Sequence, residues 1–526
     1  MKDYMNMKTN ILSLLAFAGL LTFVGCANDD TTNNDKEPGT EGLTGFVVEE
    51  DNATRTTAEY DGSGLKFFWT ANDRLWVNNG TLTQDASNNI SSVLVNNPAN
   101  ASAVQRAAKA RFWFSGTFTA SSYPVRYTGK GNADGDKVTI KAAQAQTIPN
   151  DASHIGEDGD CGIATATKPA GDTQYHFTLD HEASYLTFMP YNAQGKLIGV
   201  LQKIKVSADQ AICGQFDFND AGIDTGTRPI AGPTTQNIEL TVSGFSIPAA
   251  ATKETNAATM VIAPGVYTHF TVEYTLHDPI TNVGTTITKQ YPGTVTCTKG
   301  RNKKVSQDLN ITVYHGNEYY SWDAQQQYWA GHEWDKSGYV AGQDQPTVNN
   351  STVASAYAQD NTDPRWWRED TSLPAPAANH SCQNCPNVNE CIWYTMQGDP
   401  HWDEQTLWAT MGHLYKAGMW FKKKDNISGF TASNYNGTDY RTTSGFFFAN
   451  NSTPGKPSNL NDYFYLPALG TYYNGFLSGV GSEGFYWTSS PTGYVHSANC
   501  LFFDSSNGAS VSDNGREAAF RLWTVQ

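Results

Sequence analysis

Charged side chains are scarce in this 526-residue chain: Asp, Glu, Lys and Arg together make up 16%. The 35 basic residues are outnumbered by 51 acidic ones, for a formal net charge of −16. Holding a phosphate backbone takes concentrated Lys and Arg, so nucleic acid is not expected as a partner. The one basic run, Lys422-Lys423-Lys424, is short and reads as a solvated helix end. Beyond the first 25 residues no stretch is apolar enough to span a membrane, which takes about 20 largely apolar residues. Catalytic signatures are missing too. There is no Gly-x-Ser-x-Gly elbow and no phosphate-binding loop. Neither His332-Glu333-Trp334-Asp335 nor His401-Trp402-Asp403-Glu404 is followed by the second His of a zinc-protease helix. Carboxylates are scattered, and nothing in their spacing selects a glycosidase pair. The expectation is a non-enzyme with no cofactor and no metal.

What the chain does have begins at its N-terminus. Lys2 and Lys8 form a weakly basic region ahead of residues 11–24, which are apolar except for Ser13, Gly19 and Thr22. That is the length of a signal-peptide core. It ends in Phe23-Val24-Gly25-Cys26, which resembles the lipobox of bacterial lipoproteins. The resemblance implies that residues 1–25 are a signal peptide and that Cys26 is acylated and becomes the new N-terminus. Each buried CH₂ of the acyl chains then contributes about 0.8 kcal/mol to anchoring. The acidic stretch Ala27-Asn28-Asp29-Asp30 looks like the surface-export signal of Bacteroidetes lipoproteins. The expected location is the outer membrane, lipid-anchored and surface-exposed. The plainer alternative is an ordinary cleaved signal that ends near a cysteine.

The length leaves room for about three domains of ~150 residues. Residues 26–42 are rich in Asp, Asn, Thr and Gly and read as a flexible tether. From residue 43 short apolar runs alternate with turn residues, as at 66–69, 110–114, 185–189, 198–206 and 270–276. Such runs read as strands. Many strands without helical periods predict β-sandwiches over 43–175 and 176–314. The composition changes after Tyr314, and 315–526 is expected to be an α+β domain dominated by loops. A helix is predicted over 386–397, with Val388, Ile392 and Met396 on one face. A second is predicted over 403–416, with Asp403 and Glu404 in its first turn and Leu407, Met411 and Leu414 on one side.

Eight cysteines are present, and setting Cys26 aside leaves an odd number. Cys382-x-x-Cys385, with Cys391, His380 and His401 nearby, could suggest zinc, but zinc ribbons usually bring two such pairs. Cys382, Cys385, Cys391 and Cys500 are therefore candidates for disulfides outside the cytosol, with connectivity open. Asp134-Gly135-Asp136 and Glu157-Asp158-Gly159-Asp160 lack the ligand spacing of calcium loops and read as turns. The aromatics Trp366, Trp367, Tyr472, Tyr473, Phe476, Phe485, Tyr486 and Trp487 lie among Asn, Ser and Gly. Such surfaces suit sugars, whose C–H faces stack on rings, and they suit protein interfaces equally. Tyr472, Tyr473 and Trp487 are the ligand candidates, against the alternative that most of these rings pack a core.

Thr54-Arg55-Thr56-Thr57, the string Phe67-Phe68-Trp69-Thr70-Ala71-Asn72-Asp73-Arg74-Leu75-Trp76-Val77, and Phe177-Thr178-Leu179-Asp180-His181 with Ala183 and Leu186-Thr187-Phe188 resemble the fimbrillin-like proteins of Bacteroidetes. That resemblance implies pilus subunits that polymerise by strand exchange after cleavage at Arg55, with other pilin subunits as partners. Residues 386–525 resemble the major paralogous domain known from Fibrobacter, which is similar to the C-type lectin-like fold. The resemblance rests on Cys385-Pro386-Asn387-Val388-Asn389-Glu390, Tyr463-Phe464-Tyr465-Leu466-Pro467-Ala468, Gly481-Ser482-Glu483-Gly484-Phe485-Tyr486-Trp487-Thr488-Ser489-Ser490, Arg516, and Ala519-Phe520-Arg521-Leu522. The Glu-Pro-Asn, Gln-Pro-Asp and Trp-Asn-Asp triplets of calcium-dependent sugar binders are missing, so calcium-chelated sugar binding is not expected. The expected function is a pilus subunit, at the tip, that binds a glycan or protein surface ligand through its last domain. The alternatives are a glycan-binding surface lipoprotein that never polymerises and, third, an enzyme on the related fold.

Overall fold

The computed structural model describes residues 39–48, 57–98, 100, 102–370, 373, 375–443 and 445–526. Cys26, Arg55 and the expected signal peptide lie outside the described residues. Contacts divide the chain into two units, Met1–Leu43 and Thr44–Gln526. In the first, residues 39–43 turn so that the Leu43 N–H donates to the Thr40 carbonyl (3.1 Å). Everything below belongs to the second, which is mainly β.

Its first layer is a nine-stranded sheet among the described residues. The N-terminal strand Thr44–Val48 runs inside this sheet, between Arg111–Phe114 and Tyr175–Phe177. Phe46, Val48, Trp69, Phe112, Phe114, Val125, Tyr127 and Tyr175 form its core. A second core lies between a five-stranded and a three-stranded sheet. Strand Phe270–Asp278 shows why: Phe270, Val272, Tyr274 and Leu276 are buried while the residues between them are half-exposed. That alternation is what a period of two dictates for a strand with one face on a core. Residues 137–146 cross the boundary expected at 175. Lys137–Ile140 pairs with Gly214–Asn219, and Ala143–Gln146 pairs in parallel with Asn237–Ile247. Val138 and Ile140 therefore pack in the second core.

Among the described residues the last third holds an eight-stranded sheet, a four-stranded sheet and the helix Val388–Gln397. Asn387 caps the helix, accepting from the N–H groups of Asn389 and Glu390, while Glu390 reaches back to the Asn387 N–H. This reciprocal arrangement satisfies donors that the first turn would otherwise leave orphaned. Val388 and Ile392 are buried and Met396 packs beside them, as the spacing of the apolar residues predicts.

The helix expected over 403–416 is a β-hairpin instead. Strands His401–Thr410 and His413–Lys422 pair antiparallel across a turn at Met411 and Gly412, with φ of 49° and 83°. Two consecutive positive φ values make the tight turn that suits strand twist. Trp402, Thr406, Trp408, Thr410, Tyr415, Trp420 and Phe421 favour pleated surfaces, and they outweigh the helical spacing of Leu407, Met411 and Leu414. Asp403 opens a bulge rather than a helix: its Oδ1 accepts from the N–H groups of Gln405 and Thr406, and the pairing register shifts between Asp403 and Leu407.

The hairpin also binds the last third to the second sandwich. The Ile198 N–H donates to the Gly412 carbonyl (2.9 Å), and the Thr281 hydroxyl donates to the Leu414 carbonyl (2.7 Å). The buried Asp278 carboxylate accepts from the Leu414 N–H (2.9 Å) and lies 3.0 Å from His413 Nδ1. Burial pulls the Asp278 carboxyl up, but His413 and the backbone donors outweigh it and hold it below its ordinary range. Ala409 and Leu414 belong to the second core. The last third is thus continuous with what precedes it.

Candidate functional site

Two places in the fold bear on the expected functions. One is the slot filled by Thr44–Val48. This strand pairs antiparallel with Arg111–Phe114 (Phe46 opposite Phe112) and parallel with Tyr175–Phe177 (Phe46 opposite Tyr175). The Phe46 ring stacks on Tyr175 (centroids 4.7 Å) and meets Phe114 (5.0 Å) and Phe118 (5.3 Å) edge-on. Burying a side chain such as Phe46 or Val48 contributes about 1.5–3 kcal/mol. Without the strand, two neighbours would present unpaired N–H and C=O rows beside an aromatic socket, which is a template for another strand.

The other place is in the last third, where three aromatic residues were expected to touch ligand. Tyr472 is fully buried. Its hydroxyl donates to the Pro346 carbonyl (2.6 Å) and accepts from Gln345 Nε2 (3.1 Å), and its ring meets Tyr319 at 4.8 Å. Burial pushes its hydroxyl well above the ordinary range. Trp487 is fully buried as well; it stacks on Phe520 at 4.2 Å and donates to the Tyr320 carbonyl (2.8 Å). Both are core residues, which corrects the expectation. Only Tyr473 is accessible, at 49% exposure, beside the hairpin turn Asn474-Gly475. Neighbours along a strand face opposite ways, so Tyr472 and Tyr473 do not share a surface. Tyr472→Ala is expected to cost about 3–5 kcal/mol, as large aromatic truncations in cores do. Tyr473→Ala should leave the unfolding midpoint within the scatter of surface substitutions, about 0.5 kcal/mol. Chemical denaturation of the two variants checks this; equal losses would refute the assignment of opposite faces.

The cysteines from Cys161 onward are free thiols, all buried. Cys382 and Cys385 are neighbours across a short 3-10 turn, where the Cys385 N–H donates to the Cys382 carbonyl (3.0 Å). The hydrogen-bonded Cys382 thiol holds Cys385 below its ordinary value, while burial pushes Cys382 and Cys391 up and Cys500 up to about 12. Among the described residues no group of three His, Cys, Asp or Glu is placed to hold a metal ion. Asp160, read from sequence as part of a turn, is buried, accepts from the Tyr185 hydroxyl and lies 2.8 Å from His181 Nδ1.

A cleft of about 490 Å³ opens beside Trp366 and Trp367, with Asn361, Asp363, Glu369 and His380 on its walls. The residues lining it and those packed behind them are tied together. Trp322 is fully buried, and two guanidiniums sit over its ring, Arg516 at 4.2 Å and Arg368 at 4.8 Å. Asp323 accepts from Arg368 (2.6 Å) and from the N–H groups of Asn379, His380 and Cys382. Arg365 forks onto Asp363 and also donates to the Ala356 carbonyl (2.7 Å). That fork holds the Asp363 carboxyl below its ordinary range. Trp366 stood out in the sequence, but only as one aromatic among many. Glu369 and Asp363 carried no signal at all, because their role depends on where the loop folds.

No protein-family profile matches the chain, and no curated protein matches it. Several solved structures are similar in part. A candidate cell adhesion protein from Bacteroides ovatus is 15% identical, covering 51% of this chain and 93% of its own, with a TM-score of 0.28. A fimbrial assembly protein from Parabacteroides distasonis is 10% identical over 50% of this chain and 90% of its own, with a TM-score of 0.24. A fimbrial protein from Bacteroides ovatus is 9% identical over 91% of this chain and 98% of its own, with a TM-score of 0.23.

Proposed function

We propose that the protein is a cell-surface pilus subunit that polymerises by strand exchange and binds a surface ligand through its last third. The observation that carries this reading is the place of Thr44–Val48: a short N-terminal strand that fills an interior position of its sheet. Seven residues beyond it stands Arg55, in the Thr-Arg-Thr stretch that resembles a fimbrillin processing site. Cleavage there would free the strand, and a strand from another subunit would enter by β-augmentation. Strands Gly508–Gly515 and Ala519–Arg521 are paired within the last third's own sheet, so neither is free to be donated to another subunit. In this reading Cys26 carries lipid during export, and the location is the outer surface of the outer membrane. Shearing filaments from cells and sequencing the subunit's N-terminus tests it. A start at or near Thr56 is expected, and absence of the chain from filaments would favour the glycan-binding lipoprotein that never polymerises.

The anchor has its own test. Cys26→Ala should abolish labelling by a lipid probe and shift the chain out of the membrane fraction. Undiminished labelling and partitioning would rule out lipidation at this residue.

A further inference from the structure

We propose that the cleft beside Trp366 binds a neutral oligosaccharide; this rests on the reading of the last third as adhesive and names its site and ligand class. The cleft volume of about 490 Å³ falls within the roughly 300–1,000 Å³ of small-ligand sites. Trp366 is half-buried, and its ring lies 5.9 Å from that of Trp367, which is itself fixed against His496. The negative face of an indole attracts polarised C–H bonds, and one face of a pyranose ring presents several of them together.

Beside the ring stands a prearranged acceptor. Glu369 takes the Trp366 Nε1–H on one carboxylate oxygen and the Asn361 Nδ2–H on the other, both at 2.9 Å. A carboxylate has about four lone-pair sites, so each oxygen keeps capacity for a hydroxyl of a vicinal diol. The same two bonds fix the ring and the carboxylate relative to each other, so less ordering is required on binding. The loop under them is held as well: the Pro364 carbonyl accepts from the N–H groups of both Gln325 and Gln326.

The charges choose among sugars. Asp363 is committed to Arg365, and Asp323 to Arg368. Among the described ion pairs none involves Glu369, whose donors are neutral, so the cleft keeps an uncompensated negative charge. Sialylated or sulfated chains are repelled, and neutral hexose-containing chains are not.

The full chain, probed against immobilised neutral and sialylated oligosaccharides, tests this. Neutral chains should bind, and Trp366→Ala should weaken binding at least about tenfold, as removal of a central aromatic contact does. Trp366→Phe should recover part of the loss, and Tyr473→Ala should change nothing. If Trp366→Ala fails to fold, the exposed Glu369 carries the same test as Glu369→Ala. Preference for sialylated chains, binding indifferent to both substitutions, or no glycan binding would each overturn the site. Adherence of filaments to cells that persists through any of those outcomes would leave the adhesive reading standing while removing this cleft from it.

Discussion

Cells carrying Arg55→Ala are expected to make no filaments containing this chain, and to accumulate it as a lipid-modified monomer that still has its first strand. The reason lies in where Thr44–Val48 sits. An incoming strand cannot form ladders with Arg111–Phe114 and Tyr175–Phe177 while the chain's own strand already does so. Nor does this strand leave readily by itself. Phe46 and Val48 are buried, each contributing about 1.5–3 kcal/mol, and withdrawal would strand the backbone groups of both neighbours. Cutting the chain beyond the strand removes the covalent link that keeps it at high local concentration. The strand then competes for the slot as a separate peptide against a subunit's donor. Filaments formed by Arg55→Ala at the unmodified level, seen in sheared fractions and by mass spectrometry of the N-terminus, would overturn the exchange mechanism. Filaments in which Cys26 remains joined to the first strand would instead assign the chain to the base of the pilus.

The second large effect is expected at Arg516. Its side chain is fully buried, donates to Asp370 (2.6 Å), to the Arg368 carbonyl (3.0 Å) and to the Ser497 carbonyl (3.0 Å), and lies over Trp322. Removing one partner of a buried ion pair costs about 3–5 kcal/mol, because the other charge stays out of water. Arg368, at 3.3 Å, still faces Asp370, which places Arg516→Ala toward the lower end of that range. Arg516→Lys keeps a charge but not the fork, and should fall between the two. Denaturant unfolding followed by tryptophan fluorescence, with Trp322 beneath the guanidinium, reads the loss. An unchanged midpoint for Arg516→Ala would show that the buried pair does not hold the last third together.

Local patterns were legible wherever one physical rule dominated. The alternation of Phe270–Asp278 follows from one buried face, and the helix Val388–Gln397 from Val388, Ile392 and Met396, four apart on one face. Residues 403–416 suggest a helix because Leu407, Met411 and Leu414 have helical spacing by chance, while the β-favouring residues that outweigh them act only once the strands on either side of Met411 and Gly412 have partners. Lys137–Gln146 shows the same limit: its pairing with Gly214–Asn219 and Asn237–Ile247 joins residues 74 to 96 apart, and no local window of sequence contains that. Tyr472 and Trp487 are buried because a domain with few helices fills its core with rings, so abundance alone does not separate core from surface.

The hairpin that enters the second core also sets how a pull on the last third would be shared. The chain passes from the second sandwich into the last third once, near Ile311 and Tyr314, yet the two are also fastened where Gly412 meets Ile198 and where Asp278 and Thr281 meet Leu414. A pull on the last third is therefore divided between a covalent path and a clasp of several hydrogen bonds around buried apolar side chains. Pulling the last third free would mean separating those hydrogen bonds and the buried contacts of Ala409 and Leu414 as well as extending the link.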